Sequence, residues 1–175
     1  FNSAPDYETK TSYSMTLNVS DGDNIATQSL TINITNLNDN SPQFSTWSCN
    51  SPVTCSGAYI YVPENQTTVG TIIATDADGN DITYSISGSD VSSSTLSIDA
   101  STGVVAYGTA PDYENLDHQY PSFYISLTLS DGTNSSTKNL RIYVMDVNEY
   151  SPTITTSNTF SAAENQTSVG TISAR

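Results

Sequence analysis

The sequence predicts an all-β chain of tandem β-sandwiches, and three observations carry that reading. Short runs of alternating apolar and polar residues recur, with turn signals about every 8–12 residues. No stretch of useful length shows a helical period. Motifs also return at a nearly constant offset. Pro5-Asp6-Tyr7-Glu8 comes back as Pro111-Asp112-Tyr113-Glu114, Leu17-Asn18-Val19-Ser20-Asp21-Gly22 as Leu127-Thr128-Leu129-Ser130-Asp131-Gly132, and Glu64-Asn65-Gln66-Thr67 as Glu164-Asn165-Gln166-Thr167. The offsets are 106 (111 − 5), 110 (127 − 17) and 100 (164 − 64), each about the length of one small β-domain. Residues 1–40 are therefore read as the C-terminal part of one repeat, 41–150 as a complete repeat, and 151–175 as the N-terminal part of a third.

Seven strands are expected in the complete repeat. Residues 58–62 (Ala-Tyr-Ile-Tyr-Val) form the first, ended by Pro63, which cannot donate to a ladder. Residues 69–75 follow with Ile72 and Ile73, and 82–87 alternate Ile82, Tyr84 and Ile86 on one face. Leu96 and Ile98 precede Asp99-Ala100-Ser101-Thr102-Gly103, a turn signal that returns the chain into 104–107 as a hairpin partner. Residues 120–130 turn Tyr124, Leu127 and Leu129 inward, and 137–147 do the same with Leu140, Ile142 and Val144 across the Asp131-Gly132 turn.

The repeats are separated by Asn36-Leu37-Asn38-Asp39-Asn40-Ser41-Pro42, which returns as Asp146-Val147-Asn148-Glu149-Tyr150-Ser151-Pro152. Carboxylates and amides packed at strand ends are costly without a cation among them, and oxygen ligands of this hard type suit Ca2+. These stretches are read as metal-stiffened joints. The chain has 4 Lys+Arg against 18 Asp+Glu, a net charge of −14. That excludes nucleic acid and an anionic membrane surface as partners, because both need basic patches. The 11 Tyr and many β-branched residues argue against disorder.

Cys49 and Cys55 are the only cysteines, and with a single His they cannot supply the four ligands of a structural zinc site. A local disulfide, rather than two free thiols, is expected; closing so short a loop stabilises by about 2–2.5 kcal/mol and implies an oxidising compartment. Sequons at Asn18, Asn33, Asn65, Asn134 and Asn165 are candidate glycosylation sites of a secreted or surface protein. Neither a signal peptide nor a membrane-length apolar run occurs in this stretch.

The ordered set Pro63-Glu64-Asn65, Asp76-Ala77-Asp78, Leu96-Ser97-Ile98-Asp99-Ala100-Ser101-Thr102-Gly103, Asp112-Tyr113-Glu114, Asp131-Gly132 and the closing joint motif resembles a cadherin repeat. The resemblance covers 41–150 and both flanking pieces. It implies a seven-stranded Greek-key sandwich in a tandem array, with up to three calcium ions at each joint. For the first joint it implies Asp6 and Glu8 from the preceding repeat, and Asn36, Asn38, Asp39 and the carbonyls of Leu37 and Asn40 from the linker. The following repeat would supply Asp76, Asp78, a carbonyl near Asn80, and Asp131. For the second joint it implies Glu64, Asp112, Glu114, Asp146, Asn148, Glu149 and the carbonyls of Val147 and Tyr150. Asp21 and Glu164 would serve joints outside this stretch. Three positions depart from the family: Asn36 stands for Asp, Glu149 for Asp and Tyr150 for Asn.

The implied function is calcium-dependent cell adhesion at the cell surface or outside the cell, through other cadherin-type repeats of the same or neighbouring chains. The alternative is a structural subunit or spacer of an extracellular filament or large surface adhesin. Whether the parent protein is membrane-anchored is left open. The paired carboxylates point at joints in repeated motifs, and nothing marks a nucleophile for His118, so no enzyme is expected. Trp47 is expected to pack under the Cys49–Cys55 loop rather than dock in a partner.

Overall fold

In the computed structural model, which describes residues 1–88, 96–116 and 122–175, alternating apolar side chains make the strands, and the one helical element among these residues is a 3-10 turn at Tyr113–Asn115. No helix among these residues is long and apolar enough to cross a membrane. β1 (Ser12–Ser20) and β2 (Ile25–Asn33) form an antiparallel hairpin. Residues 41–150 place β3 (Gln43–Ser48), β6 (Thr68–Thr75), β9 (Val104–Tyr107) and β8 (Leu96–Ile98) side by side in one sheet. The second sheet runs β4 (Thr54–Ser56), β5 (Tyr59–Pro63), β11 (Ser135–Met145), β10 (Ser122–Ser130) and β7 (Thr83–Ser87). Side chains such as Ile60, Val62, Val69, Ile72, Leu127 and Ile142, all at 0–1% exposure, fill the space between the sheets. This is a β-sandwich core, made because each strand buries every second side chain.

Among the described residues the sandwich carries nine strands, close to the seven expected. Two were missed: β3, and β4, which pairs antiparallel with β5 inside the cysteine loop. The first edge of the sandwich is in effect split. β3 joins β6 in one sheet, and the chain then crosses to lie parallel to β11 as β5. Cys49 and Cys55 form the expected disulfide, and the loop they close contains the cis Ser51-Pro52 bond. Trp47 is buried at 7% exposure in the core beside them.

Pro63 is the last residue of its strand, as expected, and still pairs there, opposite Met145. The Glu64 N–H points at Met145 O (3.0 Å), so by alternation the Pro63 nitrogen faces the other side, where the last β4 pair is Thr54–Tyr61. A missing N–H costs nothing where no acceptor waits. Tyr124 was expected inward and is 58% exposed; Ile125, Leu127 and Leu129 are the buried set. Strand parity forbids residues 124 and 127 from sharing a face. Tyr120 and His118 lie outside the described residues.

The β8–β9 turn shows why a glycine stands at 103. Gly103 has φ +70°, its carbonyl accepts Ile72 N–H at 2.9 Å, and a Cβ there would lie 2.6 Å from Ile72 O. Residues 151–175 are mostly irregular and exposed, joined by one bridge, Ile154–Ala174. The recurrence nevertheless extends to the backbone: Asn65 and Asn165, 100 residues apart (165 − 65), both adopt positive φ, at 62° and 66°.

Candidate metal centres

At the first joint, three chain segments converge. Glu8 precedes β1, Asp39 lies in the linker, and Asp78 follows β6; one carboxylate oxygen from each lies within 4.8 Å of the others. Main-chain and amide donors hold this arrangement. The Asp39 and Asn40 amides donate to Asp78 Oδ2 at 3.1 and 2.8 Å, Asn40 Nδ2 donates to Asp78 Oδ1 at 3.1 Å, and Asn36 Nδ2 donates to the Asp78 carbonyl at 2.8 Å. Asp76 takes the amides of Asp78 (3.0 Å) and Asn80 (3.3 Å) on Oδ1. Its Oδ2 and the Asn80 Oδ1 are buried with no hydrogen-bond partner among the described residues. Buried oxygens without donors are expensive in a dry protein and are what an oxygen-seeking cation uses.

The electrostatics agree. Its own backbone amide pulls the Glu8 carboxyl down, but desolvation and the facing Asp78 and Asp6 carboxyls outweigh it and hold Glu8 above its ordinary value. Burial pushes Asp78 up, yet the Asn40 and Asp39 donors leave it below the ordinary range. Three of the four basic side chains sit over rings: Lys10 on Tyr13, Lys138 on Phe44, and Arg141 between Tyr124 and Tyr143.

The second joint is built on Glu64, at the end of β5 and only 3% exposed. Its Oε1 accepts Val147 N–H (2.8 Å) and its Oε2 accepts Tyr113 N–H (2.5 Å), so one side chain ties the linker to the 3-10 turn. Glu64, Glu114 and Asp146 each offer an oxygen within 4.8 Å of the others. Desolvation first, then the charges of Glu64, Asp146 and Glu149, raise the Glu114 carboxyl. The Tyr150 hydroxyl is raised chiefly by Glu114 and Glu149, which places its ring beside this charge although it is 67% exposed. Glu149 reaches back to accept from Asn65 Nδ2.

Most of the remaining expected ligands carry hydrogen bonds of their own. Asp6 accepts from the Thr9 amide (3.1 Å) and hydroxyl (2.9 Å), and Asp112 caps the 3-10 turn through Asn115 (3.3 and 2.6 Å). Asp131 Oδ1 takes the amides of Thr133 (2.7 Å) and Asn134 (2.6 Å), repeating what Asp21 does with Asp23 (3.0 Å) and Asn24 (2.8 Å). Asn38 is held by Asn134, and Asn148 is exposed. Sequence reasoning took Asn134 only as a sequon, and Asn65 as a sequon and part of a repeated motif; neither was read as a donor, yet Asn134 donates to Asn38 and Asn65 to Glu149. For Asn134 a signal existed, since Asn24 stands at the matching place in the first hairpin.

No family model matches the chain. Among curated proteins it is similar to protocadherin gamma-A9 of Homo sapiens, with 32% identity over 138 residues covering 71% of this chain and 13% of that protein. It is also similar to the cadherin EGF LAG seven-pass G-type receptor fmi-1 of Caenorhabditis elegans, with 33% identity over 137 residues covering 74% of this chain and 5% of that protein. The chain thus spans only a small part of each relative. Among solved structures, it matches protocadherin gamma B2 extracellular cadherin domains 3–6 with TM-score 0.63 and 26% identity, over 85% of this chain and 36% of that one. The protocadherin gammaB7 EC3-6 cis-dimer structure gives TM-score 0.64 and 25% identity, over 86% and 37%.

Proposed function

The chain belongs to the cadherin family, an extracellular or cell-surface family of β-sandwich repeats, and on that premise we propose that it is a calcium-stiffened segment of a cell-adhesion protein. One repeat fills residues 41–150 and parts of its neighbours flank it. The observation that carries this reading is the gathering of Glu8, Asp39 and Asp78 from the domain before, the linker and the domain after. No such site exists until all three segments are in place.

Calcium fits the donor set. Glu8, Asp39, Asp78, Asp76 and Asn80 would hold it at the first joint, and Glu64, Glu114, Asp146 and Glu149 at the second. The ion would supply the positive charge that both clusters lack. The chain's own groups do the positioning: Asp78 organises the linker amides, and Glu64 fixes the second linker to the turn at Tyr113. Stiff joints let an array of repeats present a partner-binding surface at a fixed distance and angle, which is what adhesion requires. A cell-surface receptor among the relatives supports adhesion over the filament or spacer reading.

Calcium titration of the 175-residue chain, alongside its Asp39→Ala, Asp78→Ala double variant, tests the proposal. Binding is expected at roughly 0.1–1 mM, the range of extracellular modules, with the first joint lost in the variant. Small-angle scattering of the parent should show a longer, stiffer particle with calcium than with chelator. A particle of unchanged length, or a parent that binds no calcium, refutes it.

A further inference from the structure

The five strands β4, β5, β11, β10 and β7 contain no Asp or Glu, yet they hold Lys138 and Arg141, two of the four basic residues in a chain of net charge −14. Lys138 leans over the Phe44 ring of the other sheet, at 3.9 Å. Arg141 alternates with the buried Leu140 and Ile142 and so stands on the outer face. Register sets Tyr59, Arg141 and Tyr124 opposite one another across β5, β11 and β10, with Tyr61, Tyr143 and Ser122 as the next row.

The second row fixes the first. The Tyr61 and Tyr143 rings stack with centroids 5.2 Å apart and planes at 12°. The Arg141 guanidinium carbon lies 4.7 Å from the Tyr143 ring and 4.4 Å from the Tyr124 ring, and its Nε and Nη2 both donate to Ser122 Oγ, at 3.1 and 2.9 Å. One edge of the guanidinium is thus spent on a neutral hydroxyl. The end-on fork of Nη1 and Nη2 is left for another acceptor, and among the described residues Arg141 forms no ion pair. Beside it, Tyr59 and Tyr124 are 48% and 58% exposed and line a shallow groove together with Asn139 and Arg141.

We propose that this groove binds a carboxylated pyranose, the acidic sugar unit of a glycan. Its carboxylate takes the open fork of Arg141, a charge-assisted pair that a held, planar guanidinium favours. A ring hydroxyl takes the Asn139 amide. The C–H face of the sugar lies on the electron-rich face of the Tyr59 ring. Complementary charge selects this occupant: a single unpaired cation suits one carboxylate, whereas a polyanion would be repelled by the rest of the chain. A peptide cannot add as a strand here, because β5 is flanked by β4 and β11, and β11 by β5 and β10. A second copy docked by a twofold axis through the groove would set guanidinium against guanidinium.

The test is an NMR titration of the 175-residue chain with sialyllactose, methyl glucuronide and lactose. It is run in chelator, so that calcium cannot bridge sugar to the joints and the outcome does not depend on them. The amides of Tyr59, Tyr124, Asn139 and Arg141 should shift with at least one carboxylated sugar, with Kd on the order of 1 mM, and lactose should bind about 10-fold more weakly. Arg141→Gln should erase the preference for the carboxylated sugar. Tyr59→Ser should weaken binding about 5-fold, and Tyr59→Phe, which keeps the ring, should match the parent. If Arg141→Gln does not fold, the two variants of the exposed Tyr59 decide. No shift at this face up to about 10 mM of either carboxylated sugar overturns the proposal, as does lactose binding equally well. Stronger shifts at the same amides with a capped glutamate peptide, or shifts that follow protein concentration without sugar, overturn it in favour of a peptide or a second copy.

Discussion

Replacing Glu64 by Ala should uncouple the second joint and weaken the sandwich even in the absence of calcium. The side chain is 3% exposed and accepts two main-chain N–H groups, from Val147 at 2.8 Å and Tyr113 at 2.5 Å. Truncation leaves two donors in a nearly dry pocket, each costing about 1–3 kcal/mol. Relief of repulsion acts in the opposite sense, because Glu114 and Asp146 stand close by. Both of those are exposed, so water and salt screen the repulsion and its removal returns little. The balance is a loss of about 2–4 kcal/mol. Glu64→Gln keeps one acceptor and turns an NH2 toward the other amide, so it should lose about 1–2 kcal/mol. Urea unfolding in chelator, followed by the single tryptophan, Trp47, measures both. Calcium titration should show the second site lost in Glu64→Ala and the first retained. An Ala variant within about 0.5 kcal/mol of the parent would refute the reasoning, since an unsatisfied pair of buried amides has to cost more than that.

Two further substitutions probe the framework. Gly103→Ala should cost about 2–4 kcal/mol, combining positive-φ strain with displacement of the Ile72 carbonyl, whereas Gly132→Ala, with nothing within 4 Å of its Cβ, should cost about 1 kcal/mol. Equal urea midpoints for the two would remove the steric part of that argument. Asp99 is held below its ordinary value by the Thr102 amide first, then the Thr102 side chain and the Ser101 amide. A depressed folded value means that its stabilisation is present above the unfolded value, near pH 4, and is lost as pH falls through the lower folded one. The stability gap between parent and Asp99→Ala should therefore be constant from pH 7 to about 5 and shrink below about 4. A gap that widens on acidification contradicts it.

Much of this architecture was legible because it is written locally. The Asp99–Gly103 turn, the Ile142 and Val144 alternation and the joint motifs each declare themselves within a few residues. What was not legible depends on distant pairing. β3 contains Phe44 and Trp47 among polar residues, three apart and so out of step with a period of two; a bulge between Phe44 and Thr46 breaks the alternation, and the strand is seen only from its pairing with β6. Pro63 marks the end of β5 as expected, but the sequence does not show which neighbour its nitrogen faces. Tyr124 was misplaced by counting aromatic character above parity, although Leu127 and Leu129 already determined the inward face. The clusters of carboxylates were anticipated; their donors were not. Asn134 meets Asn38 across 96 residues and Asn65 meets Glu149 across 84, and nothing near either asparagine announces its partner.

The crossing of the first edge from one sheet to the other has a mechanical consequence. β5 and β11 lie side by side and parallel, paired from Tyr59–Arg141 to Pro63–Met145. Tension along an array of such repeats draws the strand near the entrance backward along its own axis and the last strand forward along the same axis. The hydrogen bonds between them are then loaded together, in shear, instead of being unzipped one at a time. In the adhesive role proposed for this chain that arrangement would be an advantage: the sandwich should yield to pulling at its ends only at forces well above those needed to peel an edge strand away.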